Sequence, residues 1–168
     1  GLNRVTFSLD SLDPEIFERI TGKSGDLLHL IIEGIEMAVT LGLNPVRINS
    51  VIRRGVNEED IERLIERFRH LPVALRFIEF MDVGNHNRWD LASVVPSQEI
   101  CQLVQDRWNI QQIPYLHTGQ VAQHWSLDTE TGFEIGFISS VTDPFCGDCN
   151  RARLSADGHL YTCLFATS

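Results

Sequence analysis

Residues 46–52 read Val46-Arg47-Ile48-Asn49-Ser50-Val51-Ile52 and alternate almost perfectly with period two. Such alternation predicts a strand, with Val46, Ile48, Ser50 and Ile52 on one face and Arg47, Asn49 and Val51 on the other. The flanks predict helices. Upstream, Asp26 is expected to cap a helix whose apolar positions Leu27, Leu30, Ile31, Ile35, Ala38 and Val39 recur at helical spacing, with Gly42 ending it in a left-handed conformation. Downstream, Asn57 precedes a second amphipathic helix with Ile61, Leu64, Ile65 and Phe68 on one face. Further out lie two more strands, Arg4–Leu9 and Val73–Phe80, the first followed by a helix start at Ser11-Leu12-Asp13-Pro14. Strands separated by helices imply parallel neighbours joined by right-handed crossovers. Three such units cannot close a barrel, so the expected fold is α/β, a half barrel or a small open sheet.

The pattern changes after Met81. Asp82 to Asp90 is polar and irregular, Ser97 opens a helix running to Trp108, and short strand-like pieces follow at Gln111–Tyr115, Val121–Leu127 and Glu134–Ile138. Residues 1–84 are therefore expected to form the half barrel, and residues 85–168 an α+β extension packed on it. The chain begins at Gly1 without a methionine and enters a strand three residues later, which suggests the C-terminal part of a longer protein.

At 168 residues, 43% hydrophobic and 22% charged, the composition is that of a globular domain able to bury a core. A formal net charge of -9 argues against nucleic acid or an anionic membrane as partner, since either is repelled at long range. Any anionic ligand must be held by a local arginine cluster. No apolar run reaches the roughly 20 residues that span a bilayer, and a cytoplasmic location is expected.

Three of the four cysteines are arranged: Cys146-Gly147-Asp148-Cys149, then Cys163 after thirteen intervening residues. A Cys-x-x-Cys loop lets two thiolates reach one metal centre, and a hairpin with its turn at Ser155-Ala156-Asp157-Gly158 can bring back the third. An odd arranged set without a secretory leader disfavours disulfides. Spacing alone fits zinc, with His159 as fourth ligand, as well as it fits an iron–sulfur cluster with one iron open. Cys101, among Ile100, Leu103 and Val104, reads as a small buried hydrophobe.

Arg151 and Arg153 follow the second cysteine and share a face if that segment is extended, which suits a phosphate or carboxylate. Arg47 and Asn49 interrupt an apolar strand on one face, where polar groups in a parallel barrel line a ligand cavity. Arg76 and Glu79 fall on opposite faces of the third strand, so at least one is expected to make a structural pair. Ser8 and Met81 lie at the C-terminal ends of the first and third strands, where barrel active sites are built.

Together these segments resemble the MoaA family, the GTP 3′,8-cyclases, over essentially the whole chain. The resemblance rests on Ser8-Leu9-Asp10-Ser11-Leu12-Asp13, Val46-Arg47-Ile48-Asn49-Ser50-Val51 and Arg76-Phe77-Ile78-Glu79-Phe80-Met81. More specific are Phe145-Cys146-Gly147-Asp148-Cys149-Asn150-Arg151-Ala152-Arg153 and Asp157-Gly158-His159-Leu160-Tyr161-Thr162-Cys163-Leu164-Phe165. The resemblance implies a partial TIM-like radical SAM barrel followed by the extension carrying the cysteines. It implies a lyase of molybdenum cofactor biosynthesis that converts GTP to a cyclic 7,8-dihydro-GTP intermediate. Cys146, Cys149 and Cys163 would hold a second [4Fe-4S] cluster whose open iron contacts the purine. Arg47, Arg151 and Arg153 would bind GTP, Arg76 would line its cavity, and Ser8 and Met81 would contact S-adenosylmethionine. Position 47 is usually lysine in the family, so the charge is kept here with a different reach. The family's CxxxCxxC loop, which holds the first [4Fe-4S] cluster, has no counterpart in these 168 residues, so the chain alone is expected to be inactive. Expected partners are GTP, a second copy of the chain and the next enzyme of the pathway.

Overall fold

The computed structural model describes residues 1–82, 89–114, 121–128, 130–144, 146 and 151–163. Its strands and helices run β1 (Val5–Ser8), α1 (Pro14–Thr21), α2 (Leu28–Thr40), β2 (Val46–Ile52), α3 (Asp60–Phe68), β3 (Val73–Glu79), α4 (Ser97–Arg107), β4 (Gln111–Ile113), β5 (Gln123–Asp128), β6 (Phe133–Ile138), β7 (Arg153–Leu154) and β8 (Leu160–Tyr161). The first six strands form one sheet in the order β1-β2-β3-β6-β5-β4, and β7 and β8 form a separate hairpin. The pairs β1–β2, β2–β3 and β3–β6 are parallel. The pairs β6–β5 and β5–β4 are antiparallel.

Alternation along the strands sorts the sheet into two faces. Phe7, Ile48, Leu75 and Ile135 stand in one cross-strand row, and Phe77 and Phe137 stand side by side in the next. With Phe17 of α1, Leu28 and Ile35 of α2, Leu64 and Phe68 of α3, and Ile100 and Val104 of α4, these side chains form one hydrophobic core. The helices therefore cover this face. Gly34 allows α2 to lie close: a Cβ there would come within 3.2 Å of the Phe7 ring.

The helix ends show which local signals won. α1 starts where expected, with Pro14 in its first turn, and Asp13 caps it, accepting from Glu15 N at 2.9 Å and Ile16 N at 3.1 Å. The expected cap at Asp26 is corrected. Ser24 caps a short 3-10 turn, Gly25–Leu27, by accepting from Asp26 N, and α2 starts on Leu28 without a side-chain cap. The turn already supplies the geometry that leads into the helix, so Asp26 sits one step inside it. Gly42, φ 73°, follows α2 as expected.

The sheet does not stop where the sequence changes character. β6 lies directly beside β3 in parallel register, Leu75 opposite Ile135, so residues from both sides of position 84 share one sheet.

Candidate functional site

The face away from the helices carries the polar side chains. One row across it runs Ser8, Asn49, Arg76, Gly136 and His124; the next runs Thr6, Arg47, Ala74, Glu134 and Ser126. Arg47 and Arg76 are thus diagonal neighbours on adjacent strands, both half-buried. Gly136 is required by a close approach, because a Cβ there would lie 3.0 Å from Arg76 Cγ and 3.5 Å from Ala122 Cβ. The stem of Arg76 therefore passes over β6 toward β5.

Charge on this face is unevenly compensated. Burial holds the Arg76 guanidinium below its usual pKa, and the positive charge of Arg47 adds to the effect, while Glu134 opposes it. A guanidinium stays protonated regardless, so the shift measures how poorly this cation is matched. Glu134 is held below the usual carboxylate range by the hydrogen bond from His124, against the opposing effect of burial, with help from Arg76 and Arg47. His124 Nδ1 and Glu134 Oε2 are 3.1 Å apart. Asn49 Oδ1 and Arg76 Nε are buried without a hydrogen-bond partner. Buried polar atoms are rarely left unpaired: the Arg76 Nε donor beside a second cation suits an anionic ligand, and Asn49 Oδ1 suits a donor on the same ligand.

The rim at the strand ends is built by a second network. Asn57 donates to the carbonyls of Asp10 (2.7 Å) and Val51 (2.9 Å) and accepts from Arg53 N (2.8 Å). Asp10 Oδ1 accepts from Val51 N at 2.8 Å, and Ser11 Oγ donates to the buried Asp60 at 2.5 Å. Asn57 thus ties the loop after β1 to the end of β2. Ser8 is exposed at the end of β1, and Met81 lies two residues beyond β3, on the same rim.

The expected structural pair at Glu79 takes a different form. Glu79 is fully buried and meets no cation among the described residues. Its Oε1 accepts from Ser97 N (2.7 Å) and Thr142 Oγ1 (2.6 Å), and its Oε2 from Val141 N (2.7 Å) and Thr142 N (2.8 Å). It thereby fixes the start of α4 and the segment leading from β6 toward Cys146.

The hairpin forms as expected, with Arg153 opposite Tyr161 and Leu154 opposite Leu160. Its turn is closed by Gly158 N donating to Ser155 O at 3.0 Å, and Gly158 has φ 89°. Cys146, Cys163 and Arg151 are exposed and Arg153 is half-buried. Cys149 lies outside the described residues, and among those described no group of three His, Cys, Asp or Glu side chains is gathered to hold a metal. His159 Nδ1 lies 2.9 Å from an Asp157 carboxylate oxygen, which places this ring, the possible fourth zinc ligand, at the hairpin turn. The donor chemistry offered is thiolate. A three-thiolate set fits a [4Fe-4S] cluster with one iron open better than a closed zinc site, which needs four ligands. Cys101 is half-buried in α4, and burial raises its thiol pKa.

Two polar residues of the face were not anticipated from sequence, His124 and Glu134. Period-two alternation through β5 and β6 could have put each on a face, but only the register across strands brings them to Arg76.

Comparison with known proteins matches residues 1–68 to the radical SAM superfamily and residues 73–168 to the family described as molybdenum cofactor synthesis C. A GTP 3′,8-cyclase of Xanthomonas axonopodis pv. citri is 47% identical over 167 residues, covering 99% of this chain and 49% of that protein. One from Acidothermus cellulolyticus is 45% identical over 166 residues, 99% of this chain and 45% of its own length. One from Staphylococcus aureus is 39% identical over 168 residues, 100% of this chain and 48% of its own. The chain spans about half the length of the curated relatives it matches. No helix among the described residues is long and apolar enough to cross a membrane. With the two family matches following one another along the chain and this identity sustained over 99% of it, the chain belongs to the MoaA family of GTP 3′,8-cyclases.

Proposed function

We propose that this chain is the nucleotide-holding half of an enzyme that converts GTP to the cyclic 7,8-dihydro-GTP intermediate of molybdenum cofactor. The observation that carries the reading is the helix-free face, where Arg47 and Arg76 share one carboxylate and the Arg76 Nε donor lacks an acceptor. A triphosphate supplies the acceptors and negative charge that this face is short of. In the division we propose, residues 1–84 carry the S-adenosylmethionine rim at Ser8 and Met81 and the phosphate-facing Arg47 and Arg76. Residues 85–168 carry Arg151 and Arg153 to grip the nucleotide and Cys146, Cys149 and Cys163 to hold a [4Fe-4S] cluster. When bound, that cluster supplies an open iron site for the purine. The protein groups orient the nucleotide and exclude water, and the cofactors supply the radical chemistry.

The test is anaerobic reconstitution with iron and sulfide followed by nucleotide titration. About one cluster per chain, a preference for GTP over ATP, and at least roughly tenfold weaker GTP binding in Arg76→Ala are expected, since a hydrogen bond to a charged group contributes about 1.5–3 kcal/mol. A colourless protein that binds one zinc tightly and does not distinguish GTP from ATP would overturn the reading in favour of a zinc-stabilised binding module. The chain unaided is expected not to convert GTP, because it carries no CxxxCxxC loop; measurable turnover would refute that part.

A further inference from the structure

We propose that His124, held through Nδ1 by Glu134, is a further nucleotide-binding side chain of this face, donating from Nε2 to a phosphate oxygen of GTP beside Arg47 and Arg76. The inference rests on the proposed nucleotide site and adds a residue to it. His124 stands opposite Gly136, the one position in its row without a side chain, and the Arg76 stem crosses that gap from the other side. Arg76 and His124 thus flank a single glycine in the same cross-strand row. The His124 side chain is 12% exposed, which is low for an imidazole with one bound nitrogen.

The tautomer follows from the partner. Glu134 is ionised, so the ring nitrogen facing it carries a proton, and Nε2 has no hydrogen-bond partner among the described residues. Neutral His124 can only accept at Nε2; protonated His124 donates there. A phosphate oxygen therefore requires the charged ring. Among the described residues, the charged groups on this face around the imidazole are Arg47 from β2, Arg76 from β3 and Glu134 from β6. From β4 the opposing residue is Ile113, which carries no charge. Glu134 is accordingly a positioning residue. It orients the ring and offsets the charge of the two arginines.

The test measures binding of GTP and of inorganic triphosphate to the reconstituted protein at about pH 6 and about pH 8.5, the lower value favouring a protonated imidazole. Wild type, His124→Ala, His124→Gln and Glu134→Gln are compared, with thermal unfolding of each recorded. Triphosphate gains negative charge over this range, which tightens binding as pH rises, so the readout is the ratio of wild-type to variant affinity at each pH. His124→Gln and His124→Ala should bind both ligands about tenfold more weakly than wild type at the lower pH and within about twofold at the higher. Glu134→Gln, which removes the carboxylate that orients the ring, should weaken binding of both ligands at the lower pH by less than His124→Ala does. A purely structural role would lower the unfolding temperature and leave the affinity ratio independent of pH. Wild-type GTP binding that depends on Arg76 and is unchanged in both His124 variants at both pH values would overturn this inference alone. Absence of GTP binding by wild type would instead sink the site on which it rests.

Discussion

Glu79 receives four donors on two oxygens inside the protein, and the balance of forces on it is unusual for a buried carboxylate. Burial raises its pKa, but the hydrogen bonds from the Thr142 hydroxyl and from the Ser97, Thr142 and Val141 amides pull it down further, so it ends below its ordinary 4.5. A depressed carboxylate contributes stability that is complete above its unfolded pKa and is lost as pH falls through the folded one. Urea midpoints of wild type should therefore fall below about pH 4.5, and Glu79→Gln should lose that component of the acid limb. Near neutral pH, Glu79→Gln is expected to cost about 2 kcal/mol and Glu79→Ala about 4 kcal/mol, since the alanine leaves three amides and a hydroxyl buried and unmatched. Equal midpoints for wild type and Glu79→Gln across pH would show that the donors find other acceptors. Asp10 works in the opposite sense: burial raises its pKa more than the Val51 amide lowers it, so its contribution weakens as pH rises through the carboxylate range.

At the scale of elements, β6 joins the core to the polar face, and Gly136 is where the two requirements meet. Gly136→Ala would press its Cβ against the Arg76 stem at 3.0 Å. The crowding costs about 1 kcal/mol, and the reduced freedom of the unfolded chain returns about 0.4–1 kcal/mol, so stability should change little. GTP affinity should fall severalfold because the guanidinium is displaced. Chemical denaturation and nucleotide titration on the same preparation separate the two effects; a lost midpoint with unchanged affinity would contradict the proposed place of Arg76. The parallel units β1–α2–β2–α3–β3 were legible because apolar periodicity and turn residues are local signals, and Phe68, Ile48 and Leu75 are buried where their spacing demands. The hairpin was legible for the same reason, its Asp157-Gly158 turn lying between two short apolar pairs. The insertion of β6 beside β3 was not, because a strand separated from its neighbour by more than fifty residues leaves no local mark of which edge it joins. Half of the polar face shared that obscurity. Arg47, Asn49 and Arg76 betray themselves as charges or amides within apolar strands, whereas His124 and Glu134 sit in mixed stretches where a polar residue is ordinary.

On the scale of the whole molecule, the sheet is covered unevenly, and β1 pairs only with β2 among the described residues. Beside that edge, α2 turns Gly34 onto Phe7, and Leu30 and Met37 lie on the same side of the helix by its 3.6-residue period. Both are exposed, Leu30 by 52% and Met37 by 58%, and Leu41 continues the stripe at 69%. An open parallel edge bordered by an apolar helix stripe exposes backbone donors and acceptors together with surface that favours burial. A net charge of -9 opposes close approach of two copies, but its range is about 10 Å at 0.1 M salt, so added salt weakens the repulsion without weakening the apolar contact. The chain on its own is therefore expected to self-associate through this side, more strongly as salt is raised. Light scattering should show a mass that grows with concentration and salt, and the double substitution Leu30→Lys, Met37→Lys should return it to the monomer without lowering the unfolding temperature. A wild-type protein that stays monomeric at every concentration and salt level would mean that the edge and stripe are not enough to hold two copies together.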